Sequence, residues 1–260
     1  MDILVISLPS AKDRRIFQQE QLTKLKLDFE FLKATTTTDI SKNSYKKHYY
    51  DWQRPLRKTE VACYYSHRNA WEKIIKSNNP SLILEDDALL SKCITELLES
   101  LSTKENVDLI NLENRGRKKF ISRSYESIEC SSKIFKLYQD RTGAAGYILW
   151  PSGAKKLIDH ERRKGIALAD AHITDCHTLQ AFQVEPSPII QLDYCEYYQI
   201  KNPINTSAIK STVSSYNNTS GGARFIVKKL LKQLQLGIRQ LGLIFISTRR
   251  YIKIRTQDFN

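Results

Sequence analysis

Short aliphatic and aromatic runs, most of them followed by a polar turn, recur along this chain and restrict its fold more than any other feature. They lie at residues 3–6, 29–34, 82–84, 107–112, 134–138 and 147–150. The first run leads into a helical pattern, and Ser10 with Asp13 has the spacing of a capping box. Short strands alternating with helices predict an α/β sandwich with a mainly parallel central sheet flanked by helices. Ligands of such sheets bind at the carboxyl ends of the strands.

Two helices have clear limits in the sequence. One opens at Thr59 and is stopped by Asn78-Asn79-Pro80, and the other lies between Pro151 and Gly165. Residues 35–57 show no period, so we predict a loop there. Residues 201–223 are rich in Ser, Thr and Asn and predict a linker.

The charge of the chain is large and unevenly distributed. Its 260 residues are 41% hydrophobic, which is enough for a sizeable core and excludes collagen-like, coiled-coil and wholly disordered classes. Lys and Arg number 41 against 28 acids, for a net charge of +13. From Arg224 onward there are nine basic residues and one acid. This excess of positive charge predicts an anionic partner. Most of the basic surface that would bind this partner is C-terminal.

The cysteines and the N-terminus predict a cytoplasmic protein. The five cysteines are scattered and form no C-x-x-C pair, which argues against a disulfide framework and a zinc cage. A reducing compartment fits this usage. Asp2 stands where a signal peptide needs basic residues, and no charge-free apolar run approaches the ~20 residues that span a bilayer. We therefore expect a chain that is neither secreted nor transmembrane.

Three consecutive acids, Glu85, Asp86 and Asp87, follow the aliphatic run at 82–84. Alternation in the turn lets Glu85 and Asp87 face one side, where their oxygens suit a hard divalent ion such as Mn2+ or Mg2+. Such an ion keeps open positions for substrate phosphates. A solvated acidic turn is the alternative interpretation.

Other polar groups give weaker signals. Arg14 and Arg15 follow the first strand at a helix start, which is a suitable anion site, although a solvated helix face is the alternative. No G-x-G-x-x-G or P-loop motif is present, so the sequence does not support binding of NAD or ATP. We interpret His67 as a structural histidine. His172 and His177 are five residues apart, a spacing that does not share a helix face, so a metal cluster there is disfavoured.

The last part of the chain predicts a basic amphipathic helix. Seven apolar residues fall within about 100° of one another on a helical projection, and four cations occupy the opposite side. The apolar set is Val227, Leu230, Leu231, Leu234, Ile238, Leu241 and Phe245, and the cations are Lys228, Lys229, Lys232 and Arg239. Such a helix can lie on an anionic membrane surface. The alternative is a helix packed on the rest of the protein with its basic face in solvent.

Four sequence segments, taken in order, resemble glycosyltransferase family 25, the bacterial lipooligosaccharide-biosynthesis family. They are the first strand with Asp13-Arg14-Arg15, residues 56–67 with Cys63-Tyr64-Tyr65-Ser66-His67, residues 82–87 with Glu85-Asp86-Asp87, and residues 142–147 together with 153–157. The resemblance covers roughly residues 1–195. It departs from the family at Ala62, where Gly is frequent, and at residues 168–172, which match a later acidic motif loosely.

The resemblance implies a GT-A-type nucleotide-binding fold, a UDP-sugar donor (usually UDP-galactose) and inversion at the anomeric carbon. The implied acceptor is a lipid-linked core oligosaccharide. Glu85-Asp86-Asp87 resembles the family's DXD-like motif, with Asp87 as the metal contact and Glu85 as a ribose or metal contact. Leu8, Pro9 and Arg14, with Asp86 beside the motif, would belong to the nucleotide pocket.

An inverting transfer needs a group that takes the proton of the acceptor hydroxyl. Asp170, beyond a short apolar run and the Gly165 helix end, is our candidate base, and Glu113 after the run at 107–112 is the second. A helix N-cap is the alternative role for Asp170.

We therefore predict a catalytic domain over residues 1–200, a linker at 201–223 and a basic amphipathic tail at 224–260. The leading hypothesis is a metal-dependent glycosyltransferase, peripheral on the cytoplasmic face of the inner membrane. It would use no nucleic acid. Two alternatives are a nucleic-acid-binding protein, weakened by the lack of a known binding pattern, and a metal-dependent phosphodiesterase that would need further ligands from residues 170–177.

Overall fold

The computed structural model describes residues 1–139, 143–204 and 222–259. The strands are β1 Asp2–Ser7, β2 Glu30–Lys33, β3 Ser81–Glu85, β4 Ala88–Leu90, β5 Leu109–Asn111, β6 Lys118–Ser122, β7 Glu126–Ile128, β8 Ser132–Gln139, β9 Gly146–Leu149, β10 Ala181–Glu185, β11 Ile189–Gln191 and β12 Ser247–Tyr251. The helices are α1 Lys12–Lys24, α2 Lys42–His48, α3 Lys58–Ser77, α4 Ile94–Ser102, α5 Pro151–Lys164, α6 Ala169–Asp175 and α7 Ala223–Ile244. Short 3-10 turns lie at Leu192–Tyr194 and Thr256–Phe259.

The central sheet is mixed. Its strand order is β12-β6-β8-β10-β5-β9-β3-β1-β2, with β7 paired to β8, and β4 pairs with β11 separately. Only β1 with β2, β1 with β3 and β5 with β10 run parallel among the strand pairs that the structure describes. The prediction of a mainly parallel sheet is therefore wrong. Its physical reason is short connections: three residues separate β6 from β7 and β7 from β8, far fewer than a parallel crossover needs.

Helices cover both faces of the sheet, as the predicted α/β sandwich requires. Alternate residues of β1 point to opposite faces. Leu4 and Ile6 join a core cluster with α3, α5 and α6, whereas Ile3 and Val5 join a second cluster with α1 and α4. The α/β class is thus confirmed, while the GT-A type stays a prediction.

Both predicted helix limits agree with the structure. Asn78 ends α3 in the left-handed conformation, and α5 begins at Pro151 and ends before Gly165. Two local predictions are wrong. The loop predicted at 35–57 contains α2, whose first turn is capped because the Ser41 hydroxyl accepts from the Ser44 N–H at 3.1 Å. Ala11, not Ser10, is the N-cap of α1, and no side chain caps it.

The C-terminal region is only partly helical. The predicted linker at 201–223 falls mostly on residues 205–221, outside the described residues. Beyond α7, β12 pairs antiparallel with β6 along five residue pairs, and Ile252 joins the main core. Residues 247–259 therefore pack with the body of the protein. In the part of the chain that the structure describes, no helix has the length and hydropathy needed to cross a membrane.

The amphipathic pattern of α7 is present, and its orientation is the reverse of the alternative interpretation, in which the apolar side packs on the protein. The Lys228 ammonium donates to the Tyr50 carbonyl, Lys232 pairs with Asp175, and Arg239 donates to the Tyr138 carbonyl at 3.0 Å. These three cations face the body of the protein. The apolar side faces outward, so the expectation of a solvated or lipid-facing basic side is wrong for them.

Glu60 is an anchoring carboxylate at the start of α3. It accepts from Arg54 and Arg57 at 2.7 Å each and from the Arg57 backbone N–H at 2.9 Å, with 2% of its side chain exposed. Burial acts to raise the pKa of Glu60, but these donors outweigh it and hold the pKa at about 2, against an ordinary 4.5. A carboxyl with a depressed pKa stabilises the fold above its unfolded pKa and loses that contribution as pH falls.

We expect Glu60→Gln to lower the free energy of unfolding at pH 7 by about 2 kcal/mol, since both partners are partly solvated. The gap between wild type and variant should close as pH falls from 4.5 toward 2, which urea titrations at stepped pH would measure. Glu72→Gln is the matched control on the same helix, because the Glu72 side chain is 43% exposed and pairs with Arg68. A gap that does not depend on pH would contradict the assigned role of Glu60.

Candidate functional site

The three acids at the end of β3 divide between two sides, as their alternation predicts. The Gln191 side-chain amide donates to Glu85 Oε2 at 3.0 Å and to Asp87 Oδ1 at 3.4 Å, so these two carboxylates converge on one group. Asp86 points away from them. Its carboxylate accepts from the Ser7 hydroxyl at 2.8 Å and from Arg14 at 3.0 Å.

Asp86 thereby joins β1 and α1 to the end of β3. Gln18 adds to this connection, because its amide donates to the backbone carbonyls of Asp86 and Ala88 at 3.2 and 2.7 Å. Arg14 is 9% exposed, and the same guanidinium nitrogen lies 3.9 Å from Asp87. In this structure Arg14 orders the acidic turn, and its predicted contact with the nucleotide stays a prediction.

A cavity of about 720 Å³ opens above this turn. Such a volume falls in the ordinary range of small-molecule sites. Its lining comes from the end of β1, the start of α1, the residues after β2 and one face of α3, and it includes Leu8, Arg14, Cys63, His67 and the three acids. Pro9 is exposed and is not among the described residues of the lining. The structure thus places Leu8, Arg14 and the acids at one cavity, with Pro9 outside it.

The electrostatics of Glu85 and Asp87 differ. Burial and the nearby charge of Glu85 together raise the pKa of Asp87 to about 7, because Arg14 opposes them only in part. Burial also acts to raise the pKa of Glu85, but the hydrogen bond and charge of His67 outweigh it, and the pKa is lowered. Although Arg14 and Arg115 lie near these acids, the raised pKa of Asp87 indicates an excess of negative charge, which a divalent cation would neutralise.

His67 connects this site to the core. Its Nε2 lies 3.1 Å from Glu85 Oε1 and its Nδ1 lies 3.1 Å from the Tyr147 hydroxyl, to which Trp71 Nε1 donates at 2.9 Å. The chain of contacts fixes the imidazole between a buried phenol and the carboxylate. Our interpretation of His67 as structural was incomplete, because it holds Glu85 in position.

Two sets of ligands could hold a metal here. Cys63, His67 and Glu85 present ligand atoms within 4.8 Å of one another. However, burial strongly raises the pKa of the Cys63 thiol, and both nitrogens of His67 are engaged. Glu85 with Asp87 offers carboxylate oxygens at the cavity, the ligands that Mn2+ and Mg2+ prefer. The residues present fit a hard divalent ion at this pair.

Asp170 lies near the acidic turn but is not among the described residues that line the cavity. It is in the first turn of α6, whose N-cap is Leu168, and its Oδ1 accepts from the Ala171 N–H at 2.7 Å. Burial raises the pKa of Asp170, Glu85 adds to this, and Arg115 and Arg117 oppose it. A partly buried carboxyl with a raised pKa, electrostatically coupled to Glu85, is consistent with a proton acceptor.

Glu113, the second candidate base, is completely buried. Its Oε2 accepts from the Ala145 N–H at 2.9 Å, and its Oε1 has no hydrogen-bond partner within the described regions. Gly143 covers it: at φ +91°, a Cβ on that residue would lie 2.1 Å from Oε2. Burial raises the pKa of Glu113 to about 8, helped by the charge of Glu85. Because Glu113 is 0% exposed and Gly143 packs against its carboxylate, a substrate cannot contact Glu113 in this structure, and its role as the base stays a prediction.

A carboxyl with a raised pKa destabilises the fold as pH rises, because the unfolded chain releases its proton first. We expect Glu113→Gln to be near neutral at pH 4 and to become the more stable protein between pH 4.5 and 8. The gain should reach about 2 kcal/mol, since glutamine carries no charge to desolvate. Urea unfolding of both proteins across this range is the measurement. A variant that is less stable at pH 8 would show that the carboxylate is ionised and held by favourable contacts.

His172 in α6 and His177 just after it form no shared metal site in the described chain. His172 is buried against Trp71 and Tyr64, and burial lowers its pKa to about 4. His177 lies 3.8 Å from Asp175, which is also paired with Lys232. Of the ligands that the phosphodiesterase alternative required from residues 170–177, His172 therefore packs in the core and Asp175 holds α7.

Comparison with known proteins identifies the family. The family model of glycosyltransferase family 25 (LPS biosynthesis protein) matches residues 1–173. The chain belongs to glycosyltransferase family 25. This region contains the cavity, the acidic turn and Asp170.

Three relatives illustrate the range of the family. A predicted glycosyltransferase of Haemophilus influenzae is 30% identical over 170 residues, covering 64% of this chain and 59% of that protein. The lipooligosaccharide biosynthesis protein lic2B of Haemophilus influenzae is 29% identical over 164 residues, covering 60% and 62%. Procollagen galactosyltransferase 1-A of Xenopus laevis is 28% identical over 177 residues, covering 62% and 28%. The match thus spans less than two thirds of the length of each of these relatives.

Among solved structures, the inositol-1-phosphate CTP transferase of T. maritima aligns with 82% of this chain and 98% of its own. The TM-score is 0.41 and the sequence identity 11%.

Two functional-site residues of this family 25 chain had no signal in the sequence analysis. Gln191 in β11 donates to both Glu85 and Asp87, and Arg115 donates to Gln191 and, at 3.1 Å, to Asp193. Both come from segments remote from the acidic turn. A single sequence does not show which distant strand will lie beside a given turn.

Proposed function

We propose that this chain is a metal-dependent, inverting galactosyltransferase that moves galactose from UDP-galactose to a lipid-linked core oligosaccharide. The observation that carries the proposal is the convergence of Glu85 and Asp87 at the carboxyl end of β3, at the mouth of a cavity of about 720 Å³. Family membership supplies the reaction class. The names of the relatives, a procollagen galactosyltransferase and a lipooligosaccharide biosynthesis protein, support the sugar and the acceptor.

The residues divide the work of this reaction. Glu85 and Asp87 would hold Mn2+ or Mg2+, which supplies charge stabilisation for the departing diphosphate. His67 and Gln191 keep Glu85 in place, and Asp86 with Arg14 fixes the turn that carries both acids. Leu8 forms part of the wall beside the donor.

The proposed transfer is a single displacement at the anomeric carbon of galactose. The acceptor hydroxyl oxygen bonds to the anomeric carbon from the face opposite UDP, and the bond from that carbon to the diphosphate oxygen breaks. The hydroxyl proton passes to the Asp170 carboxylate, and UDP leaves with the bonding electrons. One displacement inverts the anomeric configuration.

A thermal-shift panel tests the donor and metal together. It would contain UDP, UDP-galactose, UDP-glucose, CMP and GDP, each with Mn2+, with Mg2+ and with EDTA. We expect stabilisation by the uridine compounds only when a divalent ion is present, because ligand binding to the native state alone raises the melting temperature. Equal shifts in EDTA would contradict the metal requirement.

Product analysis tests the reaction class. A transferase releases UDP and extends the acceptor sugar. Release of UMP with galactose 1-phosphate would instead identify a phosphodiesterase that uses the same acids, and would overturn the proposal.

A further inference from the structure

The outward side of α7 is a continuous aliphatic surface. Its side chains are more than half exposed, at 59% for Leu230, 62% for Leu234 and 64% for Ile238. The outward surface comprises Ile226, Val227, Leu230, Leu231, Leu234, Ile238, Leu241 and Ile244, and it continues into Phe245 and Ile246. A 22-residue helix is about 33 Å long, so the surface is long as well as apolar. Monomeric soluble proteins rarely expose a patch of this kind without a partner.

In the described ranges of the chain, the body of the protein does not cover this surface. At 100° per residue, the inward-facing residues lie roughly 180° from the aliphatic side. They are Phe225, Lys228, Lys232, Leu236, Arg239 and Leu243. Phe225 stacks on Tyr50 at a centroid distance of 5.7 Å, and the three cations contact the body as described above. The helix is therefore held from its basic side, which leaves its apolar side free to bind something else.

The charged residues of α7 and of the segment that follows it up to Gln257 are all basic. The chain has no acid between Arg224 and Gln257. Lys229 is exposed on α7 beside the aliphatic side, and exposed Arg123 donates to the last carbonyl of the helix at 3.2 Å, next to Phe245. Farther along the same edge, Lys118 lies over the exposed Tyr251 ring at 5.3 Å. An occupant with an apolar interior and negative charges at its surface fits both features.

We propose that α7 lies on an anionic lipid bilayer, with its aliphatic side immersed at the level of the acyl chains and its flanking cations among the headgroups. An interfacial helix of this kind has a wide apolar face and does not cross the membrane. Lys228, Lys232 and Arg239 contact the body of the protein and not the lipid. Their contacts fix the angle between the body and the bilayer.

A second copy of the chain fits the surface less well. A two-fold interface brings the same patch of both copies together, so cations around an acid-free helix would meet cations. Protein interfaces are also enriched in aromatic residues, Met and Arg at their centres, whereas the centre of this surface is aliphatic. The inference does not depend on the proposed reaction, because lipid binding needs no sugar substrate.

The test is flotation of the full chain with vesicles of phosphatidylcholine alone and with one third phosphatidylglycerol. We expect binding to both and stronger binding to the anionic vesicles. Raising the salt concentration should reduce only the difference between them, since screening acts on the charges and not on apolar burial. Lys229→Gln should weaken binding to anionic vesicles and leave neutral vesicles unaffected.

The decisive variant carries Leu230→Gln, Leu234→Gln and Ile238→Gln. We expect an unchanged melting temperature, because all three side chains are exposed, and about a tenfold or greater loss of vesicle binding. Single Leu234→Gln has a matched control in Ile16→Gln, because Ile16 is 55% exposed on α1. The first should weaken binding measurably and the second should not. This pair decides the matter if the triple variant fails to fold.

Three results would overturn the proposal. Wild-type protein could fail to float with either vesicle. The triple variant, with its fold intact, could bind as well as wild type. Light scattering could show a wild-type dimer that the triple variant converts to a monomer without any vesicle binding, in which case the occupant is a second copy of this chain.

Discussion

Asp87→Asn should abolish the stabilisation of this protein by UDP in the presence of Mn2+. At a UDP concentration 100 times the dissociation constant, ligand binding contributes about 2.7 kcal/mol, or a rise of roughly 5–10 °C in the melting temperature for a chain of this size. The asparagine keeps the volume of the side chain but removes the negative charge that we propose as a metal contact. Differential scanning fluorimetry with UDP, with and without Mn2+, measures the change.

The unliganded Asp87→Asn protein should be at least as stable as wild type. Burial and Glu85 raise the pKa of Asp87, so its charge is a cost to the fold rather than a support. Asp13→Asn is the matched control, because Asp13 also lines the cavity but is exposed and lies away from the Gln191 contact. A full Mn2+-dependent shift in Asp87→Asn, or its loss in Asp13→Asn, would refute the assignment of the metal to Asp87.

The parts of the fold that the sequence predicted are those set by local patterns. The limits of α3 and α5 follow from Asn78, Pro151 and Gly165, whose backbone preferences act within one or two residues. Glu85 and Asp87 face one side because side chains alternate along extended backbone, whatever surrounds them. These features need no knowledge of which elements lie side by side.

The direction of the sheet strands could not be obtained in the same way. β9 lies antiparallel between β3 and β5, although it is far from both in sequence. Its aliphatic run has the same appearance as a parallel strand buried on both faces. Only the short turns around β7 carried a signal for antiparallel pairing.

The candidate site shows the same division. The acids at 85–87 were identified from their position after a buried strand, and Leu8 and Arg14 from the resemblance. The contribution of His67 to the site was missed, because it depends on two long-range contacts, with Glu85 and with Tyr147. Glu113 was overestimated for the opposite reason: its position after a strand resembles that of Glu85, but the close approach of Gly143 closes it off.

The orientation of α7 is set by polar contacts with distant residues, which the helical periodicity of the sequence does not reveal. A helical projection separates apolar from basic residues, but both sides are able to contact the protein. Asp175 and two backbone carbonyls are the groups that hold the basic side. The apolar side consequently remains outside, even though burial of apolar surface is the usual driving force for docking.

Asp170→Asn should lower the turnover number by about 100-fold or more, with donor affinity little changed. A general base acts only while the hydroxyl proton is being transferred, so its loss affects the transition state and not the bound ground state. The raised pKa of Asp170, caused by burial and the charge of Glu85, brings its proton affinity closer to that needed at neutral pH. Steady-state kinetics and a UDP titration on the same protein measure the two effects separately.

The pH profile and a second variant distinguish a base from a structural acid. In wild type, kcat/KM should fall on the acidic side as Asp170 gains a proton, and that limb should be absent in Asp170→Asn. Glu113→Gln should retain near-normal turnover, since Glu113 is buried below Gly143 and its raised pKa favours the protonated carboxyl. If Asp170→Asn keeps its turnover while Glu113→Gln loses it, the proton passes to Glu113 instead, and the region around Gly143 must open during the reaction.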